Sequence, residues 1–109
     1  MAEDSEDKER MNEISSSEIM DKIKRGALVE YDHVIISGDL DLSNLNLPSK
    51  LILQGEPGRR FLVDSPIVIT NSQFLGRVNF GEVLFKSFSI IFNFNKFWKD
   101  AILRNAIFA

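Results

Sequence analysis

Large apolar side chains recur in this chain at a spacing that neither a helix nor an ordinary strand produces. Ile69, Phe74, Phe80, Phe85, Phe92, Phe97, Leu103 and Phe108 follow one another at intervals of five to seven residues. Upstream, Ile35, Leu40 and Leu45 are spaced by five, and Pro48 closes that run. An amphipathic helix places apolar residues every three or four positions, and a half-buried strand every second. A beat of five suits short extended pieces joined by tight corners, each piece sending one bulky side chain inward. Six of the nine phenylalanines lie on the ladder, so the rings belong to a core. If successive turns of chain stack, inward residues sit above one another at strand spacing, roughly 4.8 Å. Each buried Phe then contributes about 1.5–3 kcal/mol. On this register Phe80→Asp unfolds the protein and Glu82→Ala changes little.

Around the ladder a smaller pattern recurs: a small residue, a polar residue, then a bulky one. Gly38-Asp39-Leu40-Asp41-Leu42-Ser43-Asn44-Leu45 shows it, as does Val78-Asn79-Phe80-Gly81-Glu82-Val83-Leu84-Phe85. These stretches resemble pentapeptide-repeat proteins, whose consensus is a small residue, Asp or Asn, Leu or Phe, and two variable positions. The resemblance covers residues 33–47 and 67–109. It implies a right-handed quadrilateral β-helix with four repeats to each square turn. The order of capped helix, repeats, spacer and Phe-centred repeats is similar to a prokaryotic subgroup whose repeat blocks stand alone or precede membrane-channel segments. The chain departs from the pattern in its intervals of six and seven, and in the crowding of Phe88, Ile90 and Phe94. A small β-sandwich or meander is the alternative fold, which the Val, Ile and Phe content allows.

The two ends differ in character. Residues 1–13 carry six acids against Lys8 and Arg10 and are expected to form a disordered acidic tail, not a basic-then-apolar secretory signal. A helix is expected over 15–25, opened by Ser15 and Glu18 as a capping box and ended at Gly26. Residues 14–109 would form one solenoid domain, with first repeats at 33–47, a spacer at 48–66 and second repeats at 67–109. The spacer reads as two short strands about the turn residues Gly55, Pro57 and Gly58, with Arg59 and Arg60 as an exposed pair. Ala106-Ile107-Phe108-Ala109 is still apolar. Solenoid ends need a cap, so a homodimer through the carboxyl end is expected, with Trp98 and Phe108 as interface residues.

Groups that would support catalysis are sparse. There is no cysteine and one histidine, His33, which excludes disulfides, thiolate chemistry and cysteine zinc sites. Asp39 and Asp41 alternate with leucines on one face but have too few companion oxygens for a calcium site. The glycines make no phosphate-binding spacing. No apolar run approaches the roughly 18 residues of a membrane helix. No cofactor, metal or catalytic residue is assigned. The expected function is a non-catalytic, cytoplasmic protein-interaction scaffold of unknown partner. Two alternatives come from the resemblance: a DNA-mimicking modulator of a topoisomerase, and a regulatory or sensory module related to channel proteins. The first needs an acidic rod, yet Phe74–Ala109 carries five basic residues against Glu82 and Asp100. Direct nucleic-acid binding is not expected, because the aromatic residues keep core spacing.

Overall fold

The structure is a computed structural model, and it describes residues 11–53, 57–85, 90–103 and 107–108. Residues 1–10 of the expected tail lie outside these. Among the described residues the fold is mainly β, with a single α-helix. In chain order come β1 (Asn12–Ser15), α1 (Ser16–Lys24), β2 (Val29–Asp32), β3 (Val34–Ser37) and β4 (Leu40–Asp41). A 3-10 turn (Leu42–Asn44) leads to β5 (Ser49–Ile52) and β6 (Gly58–Val63). Two further sets of four short strands follow. They are β7 (Ile67–Thr70), β8 (Gln73–Phe74), β9 (Val78–Asn79) and β10 (Val83–Phe85), then β11 (Ile90–Asn93), β12 (Lys96–Phe97), β13 (Ala101–Ile102) and β14 (Ile107–Phe108).

Among the described residues, pairing joins strands from different sets, apart from β1 with β3 and the β5–β6 hairpin. β2, β7 and β11 form one parallel sheet, and β4, β9 and β13 a second. β1, β3, β8 and β12 form a third, and β6, β10 and β14 a fourth, which β5 extends. Every partner pair is parallel except the β5–β6 hairpin. Ile67 pairs with Ile90, Phe74 with Phe97 and Val78 with Ala101, each 23 residues on. Antiparallel pairing is the hallmark of meanders and sandwiches, so the alternative architecture does not describe this chain. β6 lies within the expected spacer yet pairs in register with β10. With β2, β3, β4 and β6 as the first set, β1 and the segment between β4 and β6 with its hairpin strand β5 are additional to the three sets.

Alternation along each strand decides what is buried. Ile69, Phe74, Phe80 and Phe85 are buried, and each has another buried residue two positions before it: Ile67, Ser72, Val78 and Val83. A strand turns every second side chain to the same face, so each side of the fold sends in two side chains, not the single one expected. Leu40 is buried and Leu45 half-buried against the core. Ile35 is a correction. It pairs with the half-exposed Gln73, while its neighbours Val34 and Ile36 are buried and Ile36 pairs with Phe74. The cause is the corner at His33, whose φ of 60° ends β2 and restarts the alternation at Val34.

The rings form a continuous column. Phe74 stacks on Phe97 with centroids 4.9 Å apart, and Phe80 meets Phe85 edge-on at 5.4 Å and Phe92 at 5.6 Å. Offset and edge-to-face ring pairs add about 0.5–1.5 kcal/mol each to simple burial. Helix α1 lies against β2 and β4 and buries Ile19 and Ile23. Ser15 caps it by accepting from the Ser17 amide. The Glu18 carboxylate is not turned to the cap. It accepts instead from the Tyr31 hydroxyl of β2, and Lys22 lies over the Tyr31 ring. β1 precedes the helix and pairs with β3, so the ordered chain includes Asn12 and Glu13 of the segment expected to be a tail.

Candidate functional site

Corners, not strands, carry most of the polar chemistry. His33, Asn71 and Phe94 all take left-handed backbone angles (φ 60°, 52° and 58°), and each follows a strand of the β2–β7–β11 sheet. Asn tolerates this region well and Phe poorly. The Asp32 carboxylate beneath this corner accepts from the Thr70 hydroxyl and the Asn71 amide, both at 2.8 Å. Those two donors, Asn71 first, hold its pKa below the ordinary 3.8. His33 donates its backbone amide to Thr70 and serves the corner.

The paired acids of the GDLDL segment hold backbone. Asp39 accepts from the Arg77 amide at 2.8 Å, tying one corner to the next. Asp41 opens the 3-10 turn by accepting from the Ser43 amide and hydroxyl. Among the described residues, no three metal-ligating side chains converge.

Arg60 overturns the expectation of an exposed pair. Its side chain is 2% exposed and meets Glu82 at 3.3 Å, while Arg59 stays outside and donates to Ser49. Glu82 stands at a left-handed corner (φ 62°) and is the partner of a buried cation. It is therefore not the inert position expected. Nothing in the sequence distinguishes Arg60 from Arg59. Arg60 has the opposite parity to Phe61 and Val63, which pair with Val83 and Phe85, and the same register sets Arg60 beside Glu82.

A wholly apolar hollow of about 230 Å3 lies beside the third set of strands, lined by Val78, Phe80, Phe92, Phe97, Ala101 and Leu103. Its origin is a taper: the paired inward position reads Leu40, Val78, Ala101 from the first set to the third. Phe74 is buried, but its partner Phe97 is 41% exposed; Leu103 is 52% exposed and Phe92 half-buried. Of the expected inward residues, Phe80, Phe92, Phe97 and Leu103 line the hollow, and Phe97 and Leu103 are corrections, since the open hollow leaves both exposed. Phe108 pairs with Phe85 through β14. A second hollow of about 180 Å3 lies between the end of α1 and Leu47, Pro48, Leu62 and Asp64.

Trp98 does not line the apolar hollow. Its indole N–H donates to Gln73 Oε1 at 3.0 Å, and Lys96 Nζ lies 3.9 Å from its ring centroid. It therefore rests on the outer surface of the β1–β3–β8–β12 sheet, 56% exposed. Among the described residues, no helix is long and apolar enough to cross a membrane. Comparison of the chain with protein-family models, with curated proteins and with solved structures finds no match.

Proposed function

We propose that this chain is a short right-handed quadrilateral β-solenoid of the pentapeptide-repeat type, acting as a non-catalytic cytoplasmic scaffold for protein interaction. The observation that carries the reading is the pairing pattern. Four parallel sheets each draw one strand from three successive stretches, and large side chains stack through the middle. Such a scaffold works by shape, because its corners expose side chains at a fixed spacing while the walls stay rigid. Homodimerisation belongs to the same reading. The hollow bordered by Phe97 and Leu103 leaves apolar surface uncovered among the described residues, and a second copy would bury it.

Sedimentation velocity tests the assembly. The expected result is a concentration-dependent dimer, lost in Leu103→Asp. A stable monomer at high concentration overturns self-association. The walls are tested separately by Phe74→Asp, which should unfold the protein, against Gln73→Asp one residue away, which should not. Equal tolerance of both would sink the solenoid reading.

A further inference from the structure

The acidic segment Met1–Arg10 and the Trp98 surface have no role in the scaffold reading, and Met11, which follows that segment, lies beside Gln73 at this surface. Residues 1–10 contain Glu3, Asp4, Glu6, Asp7 and Glu9 against Lys8 and Arg10. The segment leads into Met11, whose sulfur accepts from the Gln73 side-chain amide at 3.4 Å. The other end of that amide, its oxygen, accepts from the Trp98 indole. Lys96 lies on the Trp98 ring, and exposed Lys99 follows next in the chain.

We propose that the surface formed by Gln73, Lys96, Trp98 and Lys99 binds an acidic peptide segment, and that its occupant is Met1–Arg10 of the same chain. Reach is ample. β1 and β12 are three strand spacings apart, roughly 14 Å, whereas ten extended residues span about 33 Å. Charge is complementary: five carboxylates less the charges of Lys8 and Arg10 leave a net of −3, tethered beside two lysines. Two acids flank the surface, Asp100 next to Lys99 in the chain and Glu13 in β1. Glu13 stands in the same cross-strand row as Gln73 and Lys96, separated from Gln73 by Ile35. Individual surface ion pairs are weak, but a short tether holds the segment at an effective concentration in the millimolar range. Weak contacts then suffice for occupancy. The consequence is a basic, aromatic surface kept from other acidic partners until something displaces the segment.

The sole tryptophan makes the test direct. Acrylamide quenching of Trp98 is measured on the full chain at low salt and at about 1 M salt, where screening acts within roughly 3 Å. Quenching is expected to rise with salt. The response should be lost when Glu3, Asp4, Glu6, Asp7 and Glu9 are changed to their amides, and again in Lys96→Glu/Lys99→Glu. A synthetic peptide of residues 1–10, added to the chain lacking them, should restore protection. Equal quenching in the full chain and the amide variant overturns the proposal. So does protection that grows with protein concentration, which would make a second copy the occupant. Circular dichroism confirms that each variant is folded, and the salt comparison on the unaltered chain needs no substitution at all.

Discussion

Gly76 provides a sharp test of the stacked corners, because a methyl group there has nowhere to go. A β-carbon at this position would lie 2.3 Å from the Gly38 carbonyl oxygen, 2.5 Å from its carbon and 2.7 Å from Asp39 Oδ1. Carbon contacts settle near 3.5–4.0 Å, so the two corners must part by about an ångström. Three hydrogen bonds cross that gap: Leu75 N–H to the Ile36 carbonyl at 2.9 Å, Leu40 N–H to the Arg77 carbonyl at 2.8 Å, and Arg77 N–H to Asp39 at 2.8 Å. Lengthened by an ångström they cease to be hydrogen bonds, and each contributes about 0.5–1.5 kcal/mol net. Gly76→Ala should therefore destabilise by about 2–4 kcal/mol, a fall in Tm of roughly 10–20 °C for a domain of this size. Gly26→Ala is the counterpart: φ is +71° with nothing within 4 Å, so its penalty is conformational alone, about 1–2 kcal/mol. Thermal melts rank the two, and hydrogen exchange locates the damage. Leu40, Leu75 and Arg77 amides should lose protection only in Gly76→Ala. If Gly76→Ala melts no lower than Gly26→Ala, or leaves those amides protected, the stacking of these corners is wrong.

Two other sites give independent checks. Glu82→Gln removes a carboxylate from the buried Arg60. Buried pairs lose about 3–5 kcal/mol when broken, and because Glu82 is 42% exposed, solvent screening reduces this to about 1–2 kcal/mol in urea titration. Arg60→Met removes the charge together with the need for a partner and should be less damaging; an unaltered Glu82→Gln midpoint would refute the pairing. Asp32 governs an acid-side effect. Its folded pKa lies below 3.8, so its stabilising contribution is complete above that value and fades as pH falls through the lower one. Asp32→Asn should flatten the dependence of Tm on pH below about 4, and an unchanged acid limb would show that the Thr70 and Asn71 contacts do not act on stability.

The relation between residues and fold is clearest where spacing and corners can be compared. Ile69, Phe74, Phe80 and Phe85 are identifiable as core from their spacing, because a five-residue beat with large rings has few folded solutions. The helix is equally plain from Ser15, Ile19, Ile23 and Gly26, since caps and an apolar face are local properties. Ile35 shows the limit. Four residues of HVII can be buried in either of two alternations, and a left-handed corner at His33 selects the one that turns Ile36 inward. Corner angles depend on what the next strand pairs with, which lies 38 residues away.

The candidate surfaces divide in the same way. That apolar side chains would crowd the third set of strands was visible in Phe92, Phe97 and Leu103. That they surround a hollow was not, because the taper from Leu40 through Val78 to Ala101 exists only when those residues are stacked. Arg60 and Arg59 are adjacent and identical in type, and the register that pairs Phe61 with Val83 sets one of them beside Glu82. The residues themselves thus determined a mainly β chain with a periodic aromatic core and a capped helix, because patterning and capping act over a few positions. Register, the buried ion pair and the meeting of Met11 with Gln73 and Trp98 were decided by tertiary structure, because each joins groups that are neighbours in space and tens of residues apart in the chain.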